Sequence, residues 1–104
     1  MEIIIFNKIF LYIIKMMNKY LAEFLGTIAL VYVIIAIGNP LAIGATFALG
    51  IMIGGPVSGG MFNPAVSVAM AAAGKMSQKD LLPYILVQIA GGLVALELFK
   101  RVKM

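Results

Sequence analysis

The sequence predicts an all-α integral membrane protein with three transmembrane helices and one short half-helix. The chain has 104 residues, of which 63% are hydrophobic, with a mean hydropathy of +1.11, which is too apolar for a soluble domain of this length. A polar, glycine-rich break at 58–63 leads into small, helix-compatible residues at 64–73. Ten helical residues extend about 15 Å, roughly half of the hydrocarbon core. The short helix is therefore predicted to be re-entrant, entering and leaving by the same face.

Residues 1–17 differ from the rest because lysines interrupt their apolar runs. Lys8, Lys15 and Lys19 fall on one face at helical spacing, which is typical of an interfacial amphipathic helix. A signal peptide is a second option, but no small-residue cleavage site precedes Met17. We favour a third interpretation, in which translation begins at Met16 or Met17. The chain is thus divided into a leader, 1–17, and a membrane domain, 18–104.

The first membrane segment is predicted at about 20–37, where 18 residues give about 27 Å of helix. It contains Glu23, and a carboxyl group within a membrane helix usually faces protein or water. A partner inside the protein is one interpretation. The other places Glu23 near the headgroups, paired with Lys19 one turn earlier.

A tight turn at 38–40 (Gly-Asn-Pro) predicts that the second membrane segment, 41–55, runs antiparallel to the first. The segment ends at a Gly-Gly-Pro sequence that begins with Gly54. Gly50 and Gly54 form a small-xxx-small pair, which favours a close helix crossing. Simple packing tolerance explains the same glycines equally well.

The half-helix begins with Asn63, a good N-cap, and Pro64, which tolerates the first helical position. Its N-terminus would bring unsatisfied N–H groups and a positive partial charge to the membrane centre. Irregular backbone survives there only where protein buries it or where it lines a wet cavity. The Asn63 oxygen can cap the helix while its amide group donates to a passing solute. An ordinary Asn-Pro turn between two membrane helices is the alternative.

The third membrane segment is predicted at 81–99, capped by 77–80 (Ser-Gln-Lys-Asp). Gln88 lies in mid-helix and needs a hydrogen-bond partner, and Gly91 and Gly92 provide a close-packing site. Glu97, with basic residues after it, closes the segment at the interface.

Three stretches at matching spacing carry a family resemblance. Residues 58–67 (SGGMFNPAVS) resemble the first Asn-Pro-Ala loop of the aquaporin and glycerol-facilitator family, the major intrinsic proteins. Residues 22–27 (AEFLGT) resemble the start of that family's first membrane helix. Residues 74–77 and 84–92 resemble the region of its third. The match runs from about residue 18 to the C-terminus and covers only the family's N-terminal half, so the implied fold is half of an aquaporin-like fold.

The resemblance also implies roles for particular residues. Glu23 and Gln88 would brace the loop before the half-helix, and Gly50 and Gly54 would cross a helix of the other half. Between Gly44 and the loop the chain is several residues shorter than the family. The implied pore-lining residues are Asn63, Pro64, Ala65, Gly60, Val66 and Leu49.

Selectivity is where the chain departs most from the family. The family's filter arginine follows its second Asn-Pro-Ala, and this chain has Val66 at the matching position. Gly60 and Leu49 match two further filter positions, so the predicted filter has no polar side chain. We expect a wider, less water-selective path, or a poorly conducting one, unless a partner supplies the arginine.

The predicted function is a passive channel for water or small neutral solutes such as glycerol, completed by an antiparallel homodimer. With Met17 as the start, Lys19, Lys75 and Lys79 would lie on one face of the membrane, against Lys100, Arg101 and Lys103 on the other, which leaves no orientation bias. If the first 16 residues are included, Lys8 and Lys15 would favour a cytoplasmic N-terminus. Alternative functions are a half-subunit that pairs with a separate second half or with a full-length aquaporin, and a non-conducting or viroporin-like small membrane protein.

Other function classes find little support in the composition. Cysteine and histidine are absent and acidic residues number four, so we predict no enzyme activity, no metal site and no cofactor. The net charge of +4 comes from cations at segment ends, which suits a multi-pass protein of the lipid bilayer better than a nucleic-acid binder.

Overall fold

The computed structural model describes residues 1–102, apart from the side chain of Ile14. Four helices make up this part of the chain: α1 (Glu2–Ala36), α2 (Pro40–Ser58), α3 (Pro64–Ala72) and α4 (Gln78–Val102). Helices α1, α2 and α4 are long and apolar enough to cross a membrane. Helix α3 has nine residues, or about 13 Å, and is too short to do so. The predicted architecture of three spanning helices and one half-helix is confirmed. Lys103, which we placed at the far interface, lies outside the described residues.

Helix α1 is central, since it packs against α4 on one side and α2 on another, while α3 packs against α4. Gly91 allows α1 and α4 to approach closely. A Cβ atom there would lie 2.8 Å from the Phe24 carbonyl oxygen and 3.2 Å from the Thr27 Cβ. Gly92 has more room, because a Cβ atom would be 3.8 Å from its nearest neighbour, Val31. Of the two predicted packing glycines, only Gly91 is required by a close contact in this chain.

Helix α1 begins at Glu2. The sequence had predicted a start near residue 20. Lysines lower the hydropathy of the leader, but nothing between residues 2 and 19 breaks a helix. The 35 residues of α1 extend about 52 Å, well beyond a hydrocarbon core of about 30 Å. We call residues 2–18 the N-terminal extension. The start of translation at Met16 or Met17 stays a prediction.

Helix α2 continues beyond the expected end at residue 55. Its N-terminus is capped by Asn39, whose Oδ1 accepts from the N–H groups of Leu41 at 2.9 Å and Ala42 at 3.1 Å. Pro56 lacks a helical N–H, yet the helix persists to Ser58, because only one bond of its last turn is lost. The helix ends where Gly59 adopts a left-handed φ of 92°.

Helices α3 and α4 are joined by a short turn with a side-chain link across it. Helix α3 ends at Ala72, one residue before the predicted end, and Gly74 turns the chain with a φ of 75°. Helix α4 begins at Gln78, three residues before the predicted start. The Nε2 of Gln78 donates to the Ala71 carbonyl at 2.9 Å. The same carbonyl also accepts from the Gly74 N–H at 3.1 Å, so both a side chain and the backbone of the turn bind the end of the half-helix.

Candidate functional site

The centre of the site is the Glu23 carboxylate, which is fully buried beneath the loop that precedes α3. One oxygen, Oε2, accepts from Ser58 Oγ at 2.6 Å and from the Met61 N–H at 3.1 Å. The other, Oε1, accepts from the Phe62 N–H at 2.7 Å and from Gln88 Nε2 at 2.9 Å. A buried carboxylate needs such partners, because an unpaired one is very costly in an apolar environment.

Lys19 pairs elsewhere, so the alternative pairing of Glu23 with Lys19 is wrong. The Lys19 ammonium lies 2.8 Å from Asp80 Oδ2, and the Tyr20 hydroxyl donates to Asp80 Oδ1 at 2.9 Å. These two bonds tie α1 to the start of α4. Lys19 and Glu23 lie one turn apart on the same face of α1, and each meets α4 at a different height, Lys19 at Asp80 and Glu23 at Gln88.

Gln88 connects the carboxylate to the half-helix. Its Nε2 also donates to Ser67 Oγ at 2.8 Å, and Ser67 Oγ donates to the Asn63 carbonyl at 3.1 Å. Within residues 1–102, the buried Oε1 of Gln88 accepts no hydrogen bond. The contacts of Glu23 and Gln88 are those that a loop-bracing role requires, and the role itself stays a prediction.

Ser58 is the junction between α2 and the loop. Its Oγ accepts from the Gly60 N–H at 3.2 Å in addition to donating to Glu23. Its carbonyl accepts from the buried Tyr84 hydroxyl at 2.7 Å. The end of α2 is therefore fixed from α1 and from α4 at the same time.

Phe62 holds the loop by a different means, since its ring fills a slot formed by three glycines. It has a φ of 54°, the one positive value among the non-glycine residues that the structure describes. A Cβ atom at Gly26 would collide with the ring, and one at Gly50 or Gly54 would lie 2.9 Å or 3.3 Å from it. The Phe47 ring meets it edge-on at 6.2 Å between centroids. Within this chain, Gly50 and Gly54 thus accommodate an aromatic ring rather than a second helix.

The other side of the loop is open, and Asn63 lies on it. Its Oδ1 accepts from the Ala65 N–H at 2.7 Å, which caps α3 as the sequence indicates. Its Nδ2 donates to no residue within 1–102. Ala65 is exposed beside it, and Pro64 and Val66 are half-buried.

The two remaining predicted pore-lining residues, Gly60 and Leu49, differ in exposure. Gly60 is buried, and a Cβ atom there would lie 3.1 Å from the Ile51 Cα. Leu49 lies on α2 and is 55% exposed. Their contribution to a filter stays a prediction.

Four residues of the site were missed by sequence reasoning: Ser58, Ser67, Phe62 and Tyr84. The sequence does contain a signal that could have identified three of these residues. Ser58 and Ser67 are polar residues in a strongly apolar chain, and Tyr84 precedes Gln88 by one helical turn on the same face. The position of the Phe62 ring has no local signal, since it depends on glycines from two helices.

Comparison with known proteins places these features in context. A family model described as "Major intrinsic protein" matches residues 11–104. The chain is 48% identical over 88 residues to the glycerol uptake facilitator protein-like 6 of Lactiplantibacillus plantarum, covering 76% of this chain and 41% of that protein. It is 39% identical over 95 residues to Aquaporin Z of Brucella melitensis, covering 77% of this chain and 42% of that protein. No solved structure matches the chain. The chain thus spans about two fifths of the length of these relatives.

Proposed function

The chain belongs to the major intrinsic protein family, and from this premise we propose that it forms half of a passive membrane channel for water or small neutral solutes such as glycerol. The resemblance that three motifs indicated is confirmed, and the matched region begins at residue 11 rather than near residue 18. The chain is an integral membrane protein. Members of this family are channels and not enzymes, which agrees with the predicted absence of enzyme activity.

The observation that carries the proposal is that, within residues 1–102, the Asn63 side chain forms a hydrogen bond through its oxygen but not through its amide N–H₂ group. Its oxygen caps α3, while its amide N–H₂ has no acceptor within the described residues. In a membrane, an unsatisfied donor is tolerated only where water or a solute can reach it. The amide therefore serves to donate hydrogen bonds to a passing molecule.

The charge of the site favours a neutral permeant. The N-terminus of α3 carries a positive partial charge from its free N–H groups, so it repels cations. The Glu23 carboxylate does not compensate it on the open side, because Glu23 is buried on the other side of the loop. Water and small polyols carry hydroxyl oxygens that can accept from Asn63 without a net charge.

A second half is needed because α3 extends only about 13 Å. We propose that a second copy of the chain, inserted in the opposite orientation, supplies it, with the N-termini of two half-helices meeting at the membrane centre. The salt bridge between Lys19 and Asp80 places Lys19 and the start of α4 at the same membrane face. Lys100 and Arg101 lie at the other end of α4, and a chain that starts at Met17, without Lys8 and Lys15, has basic residues at both faces in numbers that permit either orientation.

A separate partner carrying the second half is the alternative. It is favoured by Val66, which leaves a homodimer without the arginine that the family places in its filter.

The test is solute flux into vesicles that contain the purified chain, comparing the native protein with Asn63→Asp. Aspartate caps a helix as well as asparagine does, so α3 is retained while the amide donors are replaced by a negative charge. We expect the shrinking and swelling rates in glycerol and in water to fall toward those of protein-free vesicles.

Asn39→Asp is the matched control, because Asn39 caps α2 in the same way at an exposed turn. It should retain the native flux. Native protein that conducts no faster than protein-free vesicles would contradict the homodimeric channel, and equal flux in the two variants would contradict the role of Asn63.

A further inference from the structure

One polar atom of the network around Glu23 has no partner among the described residues. Gln88 is 1% exposed, and its Nε2 donates both of its hydrogens, to Glu23 Oε1 at 2.9 Å and to Ser67 Oγ at 2.8 Å. Its Oε1 is equally buried and accepts no hydrogen bond from any residue between 1 and 102. Buried carbonyl oxygens are nearly always paired, because leaving them without a donor costs free energy.

The orientation of the Gln88 amide is fixed by its neighbour. The Glu23 carboxylate accepts from three other donors, the Ser58 hydroxyl and the N–H groups of Met61 and Phe62. A carboxylate has only acceptor oxygens, so turning the amide over would bring Gln88 Oε1 against Glu23 Oε1 and break the bond between the two residues. Exchange of the amide nitrogen and oxygen therefore does not supply the missing donor.

The hydroxyl groups of the same network have no hydrogen left to give, because each carries only one. Ser67, Thr27 and Tyr84 donate theirs to backbone carbonyls at 3.1, 2.6 and 2.7 Å. Ser58 donates its own to Glu23 at 2.6 Å. The donor that Gln88 Oε1 needs therefore comes from a molecule other than these side chains.

The position of Gln88 limits that molecule to a small one. Gln88, Glu23 and Ser67 are each at most 1% exposed, and Gln88 reaches both α1 and α3 on the buried side of the half-helix. A side chain from a second copy could reach Oε1 only by displacing α3 or α4. Water is small enough to be enclosed, and buried waters typically make about three hydrogen bonds to groups that would otherwise be unpaired.

The seam between α1 and α4 also offers an acceptor for such a water. Thr27 is buried on α1 one turn after Glu23, and it lies against Gly91, which is one turn after Gln88 on α4. The Thr27 Oγ1 keeps lone pairs that can accept a hydrogen. A water at this seam thus has one acceptor on each helix.

We propose that a water molecule is held between α1 and α4, behind the half-helix, where it donates one hydrogen to Gln88 Oε1 and the other to Thr27 Oγ1. This water completes the support of the loop. It is distinct from any permeating molecule, because Asn63 presents its amide on the open side. It exchanges slowly with solvent, since the helices that enclose it must separate to release it. The proposal holds whether or not the chain conducts.

The test is the number of slowly exchanging waters per chain, measured by magnetic relaxation dispersion of the water nuclei with the full chain in micelles. We compare the native protein with Gln88→Met, which keeps a side chain of similar length but has no amide oxygen. We expect the count to fall by one per chain. Gln78→Met is the matched control, because Gln78 is exposed and bonds to the Ala71 carbonyl through its Nε2, and it should keep the native count.

A crystal structure of the native chain from a lipidic phase gives a second readout that does not depend on the folding of a variant. It should show an ordered water within hydrogen-bond distance of Gln88 Oε1. An empty position there, or a protein donor from this chain or a second copy, would overturn the proposal. The same count of slowly exchanging waters in the native protein and in Gln88→Met would overturn it as well.

Discussion

The two sides of the loop between α2 and α3 are built in opposite ways. On the buried side, the Glu23 carboxylate collects donors from Ser58, Gln88 and two loop N–H groups. On the open side, the Asn63 amide has no acceptor within residues 1–102. Buried polar groups are paired because leaving them unpaired is costly. This difference is what we expect if one side braces the loop and if the other side, as we propose, donates hydrogen bonds to a passing molecule.

The buried side should respond most strongly to Glu23→Gln. Glutamine has nearly the same shape, but its N–H₂ group is a donor. It would face donor groups that now bind a carboxylate oxygen, so those hydrogen bonds would be lost. We expect a loss of about 2–4 kcal/mol in the free energy of unfolding, as for hydrogen bonds to a buried charge. Reversible denaturant titration in mixed micelles measures it.

Glu97→Gln is the control, since Glu97 is 58% exposed and pairs with Lys100 only at 3.5 Å. Its free energy of unfolding should change by less than about 0.5 kcal/mol. If both variants were equally stable, the carboxylate would not be what fixes the loop.

The glycine slot around Phe62 is the second support of the buried side, and Gly26→Ala tests it. The added methyl group would collide with the ring, so we expect a loss of about 1–3 kcal/mol from overpacking. Adding Phe62→Leu should recover part of that loss. The same titration measures both variants.

Gly44→Ala is the matched control, because a Cβ atom at Gly44 meets nothing within 4 Å. It should be neutral or stabilising by up to about 1 kcal/mol, as expected for alanine in a helix. Equal effects at Gly26 and Gly44 would show that the ring does not occupy the slot.

The smallest effect is expected from Tyr84→Phe, which removes one bond to the Ser58 carbonyl. The loss should be about 1 kcal/mol, typical of a single neutral hydrogen bond. Tyr32→Phe is the comparison, since Tyr32 is half-buried on α1. A loss at Tyr32 as large as that at Tyr84 would remove the distinction between a residue that supports the loop and one that does not.

What could be predicted from the sequence depends on whether a feature is set by neighbouring residues in the chain or by contacts between helices. The half-helix and its cap follow from local signals, the Asn-Pro start and the following small residues. The start of α1 was misjudged because lysines lower hydropathy without breaking a helix, and the end of α2 because Pro56 was taken as a stop. The contacts of Ser67 and Phe62 depend on which helices become neighbours, and no local pattern encodes that.

The central claim is that a second copy in the opposite orientation closes the open side, and disulfide cross-linking tests it directly. The chain has no cysteine, so single cysteines at Ala65 and at Ala72 are unambiguous. Both positions are exposed at opposite ends of α3, and seven residues place them on the same face about 10 Å apart. Half-helices that meet N-terminus to N-terminus predict a cross-linked dimer at Ala65 and none at Ala72. Cross-linking at both positions, or at neither while both react with a thiol reagent, would contradict the antiparallel pore.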